Sequence, residues 1–285
     1  MRPMELNRRR SLATGLQALV GGLLAIAPGC GSNNPTTVDA PAVVPDGHAT
    51  VDAPLATPDA PAGNFACLGA ALPTTAVDPL AIAGTAKALN GLSTTNAAGV
   101  LVAAYKIGSG TVLTSATTPA DGTFALSLTT NAMPIDGYVK ATAQGQLDYY
   151  LFPGAPLAAA VSGALVLMLS SSSLATVETL ASVTAAGNPG TVGLVGVIVH
   201  DCNGAAVAGA TITLTEGGTE VGDMRYVAGS LPSSTATMTD SNGGAFIFNV
   251  PAGTATVSAH VGAMTLRTHS FAVTGGATHA TLVVP

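Results

Sequence analysis

Charged and aromatic side chains are scarce in this chain. Of its 285 residues, 8% are charged, 4% are aromatic and none is tryptophan. The nine Lys and Arg residues are outnumbered by 15 Asp and Glu residues, which gives a formal net charge of −6 at pH 7. Because phosphate binding needs clustered Lys and Arg side chains, this balance predicts that nucleic acid is not a partner.

Familiar catalytic motifs are missing as well. The sequence has no HExxH zinc motif, no GxSxG nucleophile elbow and no GxxxxGK[ST] phosphate loop. None of its five histidines has a glutamate three residues further on. We therefore predict a protein that is not an enzyme, with no catalytic residues and no cofactor.

Three of the histidines recur near the end of the chain, at His260, His269 and His279. On neighbouring strands their imidazoles could point the same way and bind a metal ion. However, His260 and His279 share the polar phase of their strands with Ser258 and Thr281, which is typical of a solvent-facing sheet surface. The pattern favours a solvent-facing (wet) sheet surface and predicts no metal site.

The N-terminus has the layout of an export signal. Basic residues Arg8–Arg10 precede an uncharged run, Ser11–Ala27, which ends close to Gly29 and Cys30. The ending resembles the bacterial lipobox, which implies that residues 1–29 are a lipoprotein signal peptide and that Cys30 is lipidated. The alternative is a conventional signal peptide followed by an ordinary cysteine. The lipobox implies an exported protein held by lipid to the outer membrane or cell surface of a bacterium.

Residues 30–63 are predicted to be a disordered linker. The sequence TVDAP of Thr37–Pro41 returns at Thr50–Pro54, and a looser copy follows at Thr57–Pro61. The segment has no aromatic residue and no Lys or Arg, so it cannot bury a core. Its prolines favour an extended polyproline II conformation, which would make it a spacer.

Two later stretches alternate between apolar and polar residues. In the second, Ile212 and Leu214 alternate with Thr211 and Thr213, and turn residues stand at short intervals, as in Asp240–Gly244. A period of two with frequent Gly, Asn and Asp predicts short antiparallel strands with one buried face. The first stretch carries a weaker copy, in which Phe124 and Leu126 flank Ala125.

The second stretch resembles the carboxypeptidase regulatory-like domain of the transthyretin-like sandwiches. The resemblance rests on the strand Gly196–Val199 and on the later positions Asp201, Gly204, Val207–Ala210, Thr239–Asp240, Gly243, Phe246 and Pro251–Gly253. Thr118–Phe124 in the first stretch matches the turn of the same family. The resemblance implies an all-β chain with two tandem antiparallel transthyretin-like or Ig-like β-sandwiches, residues 64–156 and 191–285. That family is defined by fold, so the resemblance implies no activity.

Residues 157–190 are predicted to connect the two sandwiches by a core strand and one short helix. Ser173 could cap the start of the helix, and Gly187 with Pro189 could end it. A transmembrane helix is the alternative, but Ala155–Leu169 offers fewer residues than the ~20 that a bilayer requires.

The segment Glu216–Ser234 is predicted to be a long loop and the candidate ligand site. It holds a mixed polar and aromatic group: Glu220, Asp223, Arg225 and Tyr226. Long loops on rigid sheets often carry binding residues, although a solvated loop is the alternative. Further on, the turn before Phe246 has one residue more than the turn of the family that the chain resembles. A bulge at Gly243–Gly244 is expected to absorb this extra residue.

Cysteine usage adds one covalent prediction. Once Cys30 is lipidated, Cys67 and Cys202 are the two thiols left in an oxidising compartment, which favours a disulfide between them. Two separate buried thiols are the alternative.

Together these features predict a non-enzymatic cell-envelope lipoprotein that serves as a structural or interaction module. The alternative is a carbohydrate-binding surface lipoprotein, so the predicted partners are the membrane and a protein or glycan ligand.

Overall fold

The computed structural model describes residues 63–285, which form three β-sheets and one α-helix. The predicted signal peptide, Cys30 and the linker up to residue 62 lie outside the described residues. The helix is α1 (Ser171–Leu180), and Pro189–Thr191 form a short 3₁₀ turn. The strands are β1 (Leu80–Asn90), β2 (Ser93–Asn96), β3 (Leu101–Lys106), β4 (Val112–Thr117), β5 (Thr123–Leu128), β6 (Gly137–Thr142), β7 (Tyr149–Phe152), β8 (Val161–Met168), β9 (Val192–Val199), β10 (Ala210–Glu216), β11 (Thr219–Glu220), β12 (Asp223–Ala228), β13 (Leu231–Ser233), β14 (Gly244–Pro251), β15 (Gly253–Val261), β16 (Met264–Thr265), β17 (His269–Val273) and β18 (Thr278–Val283).

The strands are divided among sheets of four, five and nine strands. The four-stranded sheet has the order β2-β1-β5, with β8 pairing along β1. The five-stranded sheet has the order β11-β10-β15-β16, with β17 pairing along β15. The nine-stranded sheet has the order β13-β12-β14-β9-β18-β7-β6-β3-β4. The prediction of an all-β chain with two sandwiches and one short helix between them is confirmed.

The nine-stranded sheet is shared by both halves of the chain. Its central strand, β18, runs parallel to β9 of the second half and parallel to β7 of the first half. The last strand of the chain therefore pairs with both halves. A third parallel pair joins β1 to β8, so the sheets are not wholly antiparallel.

The two smaller sheets cover opposite faces of the shared sheet. In β7, Leu151 belongs to one hydrophobic core and its neighbour Phe152 to the other. In β18, Leu282 and Val283 divide in the same way. Because successive side chains of a strand point to opposite faces, the two cores lie on opposite sides of one sheet. Strand β18 is consequently buried along its whole length.

The segment between the predicted sandwiches is part of the first core. Strand β8 pairs with β1 over Ile82–Ala88, and α1 follows it and buries Val177 in the same core. The cap of α1 is Ser170, whose side chain accepts a hydrogen bond from the Ser173 N–H. Ser173 instead donates its hydroxyl to the Leu89 carbonyl, so the prediction that it caps the helix is wrong. Within residues 63–285, no helix has the length and hydropathy to cross a membrane.

The extra residue before Phe246 is not absorbed by a bulge at the glycine pair. Strand β14 pairs with β9 without interruption from Gly244 to Ile247, and its irregularity comes later, between Ile247 and Val250. The extra residue moves Phe246 to the opposite face of the strand, because side chains alternate at every residue. There Phe246 joins the first core, whereas Ala245 faces the second.

Candidate functional site

The two sandwiches are joined covalently near the point where the described chain begins. Cys67 and Cys202 form a disulfide, with their Cα atoms 5.8 Å apart and 135 residues between them in sequence. This separation is within the ~7 Å that a bridge allows. The Cys67 N–H also points at the Cys202 sulfur, 2.9 Å away. The bridge ties the entry segment of the first sandwich to the turn that follows β9.

Asp201 organises the turn around this bridge. Its carboxylate accepts backbone hydrogen bonds from Asn64 at 2.8 Å and from Asn203 and Ala205 at 2.9 Å. Burial by itself would raise the pKa of Asp201, but these N–H donors favour the ionised form and bring the pKa below its ordinary value. The carboxylate therefore holds the entry segment and the turn together. It has a structural role.

The predicted ligand loop is a set of strands. Residues 216–234 contain β11, β12 and β13, and β12 pairs with β14 inside the nine-stranded sheet. Tyr226 is 7% exposed, and its hydroxyl accepts a hydrogen bond from the Ile212 N–H at 2.8 Å. The prediction of a long loop is wrong because the alternating residues of β12 pack as a sheet strand. Tyr226 is a core residue that cannot reach an external ligand.

Of the other three residues of that group, two make hydrogen bonds within the fold and one is exposed. The Arg225 guanidinium donates to the carbonyls of Ala181 and Ser182, at 2.9 and 3.3 Å, just after α1. The Asp223 carboxylate accepts a hydrogen bond from the Asn249 side chain at 2.7 Å. Glu220 is exposed in β11. Glu220, Asp223, Arg225 and Tyr226 therefore do not converge on one ligand site in this structure.

The C-terminal histidines also have separate partners. His260 meets the Thr265 hydroxyl at 3.1 Å, and His269 meets the Thr281 hydroxyl at 2.6 Å. His279 is 2% exposed, so its expected place on a wet face is wrong. The physical reason is the position of β18, which both cores bury. Among residues 63–285, no three His, Cys, Asp or Glu side chains come together as a metal site.

His279 is held as a neutral ring at the centre of the shared sheet. Its Nε2 accepts a hydrogen bond from the Thr274 N–H at 2.9 Å, and its Nδ1 lies 3.3 Å from the Leu194 carbonyl. An accepting Nε2 and a donating Nδ1 require the neutral tautomer. Burial lowers the pKa of His279 to about 4, although the hydrogen bond to Leu194 opposes this effect.

An aromatic row crosses the shared sheet near His279. Tyr105 stacks on Tyr138 with ring centroids 5.2 Å apart and planes 6° apart, and Tyr150 stacks on His279 at 5.1 Å and 11°. Lys140 adds its ammonium 5.2 Å from the Tyr150 ring centroid. Sugar rings bind by stacking on open aromatic faces. Here the ring faces pack against one another, so the row is not an open platform.

A cleft of about 240 Å³ lies beside α1, where the two halves meet. Its walls are mostly apolar and include Leu174, Val192 and Phe248. Glu178 is the single titratable side chain in the lining, and burial raises its pKa. One carboxyl group without a second acid, base or nucleophile does not make a general acid–base pair.

Comparison with known proteins shows a limited likeness. No protein-family model matches the chain, and no curated protein matches it. Among solved structures, the shaft pilin SpaA from Lactobacillus rhamnosus GG is 12% identical, with 73% of this chain and 98% of that chain covered and a TM-score of 0.23. The minor pilin GBS52 from Streptococcus agalactiae is 12% identical, with coverage of 72% and 95% and a TM-score of 0.24. The Bacillus anthracis TIE protein is 11% identical, with coverage of 72% and 34% and a TM-score of 0.24. TM-scores this low do not establish a common overall architecture.

Proposed function

We propose that this chain is a non-enzymatic lipoprotein of the bacterial envelope, in which two carboxypeptidase regulatory-like sandwiches act as one rigid structural or interaction module. The observation that carries the proposal is the nine-stranded sheet shared by both sandwiches. Sandwiches joined only by a linker can turn against each other, whereas two that share a central strand and a disulfide keep one relative orientation. Such rigidity suits a surface module that presents or spaces other groups.

The polar side chains that could take part in binding or catalysis make structural contacts instead. Asp201, Arg225 and Tyr226 are engaged by backbone groups of the chain itself. Lys140 is paired with Asp148 at 2.7 Å. The described residues thus bring their polar groups together to hold the sheets, and none of these contacts has the geometry of a nucleophile beside its base.

The proposed anchor is a lipid on Cys30, with residues 30–63 as a spacer between the membrane and the sandwiches. Growth with an alkyne fatty acid, followed by coupling to a fluorophore, should tag the wild-type protein in the envelope fraction. The Cys30→Ala variant should lose the tag, because the thiol is the acylated group. A Cys67→Ala variant is the matched control and should keep it. A tag that survives Cys30→Ala, or a wild-type protein without any tag, would sink the anchoring part of the proposal.

Glycan binding remains the rival function and is separable by experiment. The shared sheet carries half-buried tyrosines, which favours this rival, but their ring faces are already stacked. A glycan array probed with the labelled exported chain should give no specific signal. A saccharide that binds, and whose binding is lost in Tyr105→Ala, would replace the structural proposal by the carbohydrate-binding one.

A further inference from the structure

The two sandwiches treat their sheet edges differently. In the second sandwich, β11 pairs with the end of β10, and side chains cover the rest of the outer edge of β10. The Tyr226 hydroxyl meets both the N–H and the carbonyl of Ile212, at 2.8 and 3.4 Å. Thr239 accepts a hydrogen bond from the Ala210 N–H through its hydroxyl and donates its own N–H to the Ala210 carbonyl. This edge has few backbone groups left for another strand.

The edge strand β4 of the first sandwich has no such closure. It is the terminal strand of the nine-stranded sheet, and β3 is the only strand of residues 63–285 that pairs with it. The hydrogen bond from the Thr118 N–H to the Val100 carbonyl sets the alternation of this antiparallel pair. By that alternation, Ser115 and Thr117 direct their N–H and C=O groups away from β3, and the register shifts at Leu113.

Strand β4 lacks most of the usual protection of an edge. Proteins blunt exposed edges with charges, prolines, β-bulges or very short strands. At the other end of the same sheet, β13 has three residues and contains Pro232. Strand β4, VLTSAT, has six residues without a charge or a proline, and its irregularity is confined to the register shift at Leu113, near its start. Exposed apolar side chains gather around it: Leu101 is 46% exposed, Val112 is 49% and Leu113 is 38%.

We propose that β4 is a self-association edge, which pairs antiparallel with β4 of a second copy of this chain across a two-fold axis at Ser115. Backbone groups that point outward on one copy pair with those that point outward on the other, so Ser115 would face Ser115 of the second copy. Thr117 would then lie opposite Leu113, the residue at the register shift. No like charges meet in this register. The product is one sheet that runs continuously through both copies.

Two further features favour a second copy over an unrelated strand. The chain already extends a sheet by strand addition, because β18 of one half pairs with β7 of the other. The ends of β4 are also flanked by opposite charges, Lys106 before the strand and Asp121 after it, both exposed. An antiparallel second copy brings these unlike charges to the same end, whereas a parallel strand of the same sequence would align like charges.

Cross-linking in the full-length chain tests the register. A Ser115→Cys variant treated with a short bis-maleimide should give a covalent dimer, because the two thiols would lie on either side of the axis. Thr211→Cys is the matched control, an exposed position on the closed β10 edge, and it should stay monomeric on a reducing gel. The wild-type chain, treated in parallel, reports any reaction at its own cysteines.

A charge at the axis tests the same edge without a linker. Ser115→Lys should weaken dimerisation at least tenfold, measured by light scattering of the full-length chain in detergent, because two ammonium groups would face each other. Its thermal unfolding should match the wild type, since the side chain of Ser115 is exposed. The proposal is overturned by a wild-type chain that is monomeric up to hundreds of micromolar, by a dimer that Ser115→Cys does not trap, or by a Ser115→Lys dimer of unchanged strength. These outcomes are independent of lipidation at Cys30.

Discussion

The two halves of the molecule share a strand plan and differ most in the strands that follow β3 and β10. In each half a long first strand pairs with a later antiparallel strand and with a final parallel strand: β1 with β5 and β8, and β9 with β14 and β18. The opposing sheets also correspond, since β3 pairs with β6 as β10 pairs with β15. The difference lies in the strands that follow: β4 pairs along β3, whereas the two-residue β11 pairs with the end of β10 alone and β12 lies beside β14.

This one difference explains how the halves fit together. Because β12 leaves the sheet of β10, its Tyr226 can reach back and close the β10 edge. Because β4 stays in place, the first half keeps an open edge at the far end of the shared sheet. Two copies of one strand plan can therefore have a covered edge in one half, at β10, and an open edge in the other, at β4, when the strands that follow are placed differently. The second half pairs with the first half through β18, and the first half leaves the outer edge of β4 unpaired within residues 63–285.

The largest expected effect comes from breaking the shared strand. Ala280 is 3% exposed in β18, and an Ala280→Asp change would bury an unpaired carboxylate in the first core. We expect a loss of about 4 kcal/mol in the free energy of unfolding, near the upper end for single substitutions. Hydrogen exchange should show that amides of both halves lose protection together, because β18 pairs with both. Ala272→Asp, at an exposed site on β17, is the control and should change little. If the first half keeps its protection in Ala280→Asp, the two halves are energetically independent.

Much of the strand pattern could be predicted from the sequence, but not the pairing between the halves. Alternation at Ile212 and Leu214 indicated strands correctly, since one face of β10 is buried. The same reasoning predicts a solvent-facing His279, which is wrong because a period of two cannot distinguish a surface strand from one that two cores bury on both faces. The prediction of a loop around Tyr226 is wrong because its strand, β12, pairs with β14 at a sheet position that has no counterpart in the first half.

Acid should weaken the fold through the buried histidines of the second half. All four histidines of residues 63–285 lie in the second half, and burial lowers the pKa of His269 and of His279 to about 4. The unfolded state, with an ordinary pKa of 6.5, therefore binds more protons than the native state between these values. Stability is full above pH 6.5 and falls as the pH drops toward 4, by on the order of 3 kcal/mol for His279.

Urea unfolding at several pH values measures this effect. His279→Gln should reduce the dependence between pH 6.5 and 4 to the part that His269 contributes, since no proton can be taken up at position 279. His260→Gln is the matched control, because the His260 ring is exposed. A slope that is the same in His279→Gln and in the wild type would show that the buried ring does not govern the acid sensitivity of the shared sheet.

The smallest expected effect tests whether equivalent contacts in the two halves contribute equally to the free energy of unfolding. In each half a buried threonine binds through its hydroxyl to the segment that leads into a strand, β3 or β10: Thr118 in the first half and Thr239 in the second, both 3% exposed. Thr118 accepts a hydrogen bond from the Val100 N–H at 3.0 Å and donates to the Ala97 carbonyl at 2.7 Å. Thr239 has the same two contacts, with Ala210 at 2.9 Å and Val207 at 2.7 Å.

Replacing each threonine by valine keeps the shape and removes both hydrogen bonds. Each change leaves a buried N–H and a buried carbonyl unpaired, so we expect a loss of about 2 kcal/mol in both halves. Thr118→Ser and Thr239→Ser retain the hydroxyl and should cost less than the valine changes, which separates the hydrogen bonds from packing. Equal losses in the two valine variants, measured by urea unfolding, would show that the repeat is conserved in energy as well as in topology. If Thr239→Val costs clearly more than Thr118→Val, the closed edge of β10 depends on this threonine, and the two turns are similar in geometry alone.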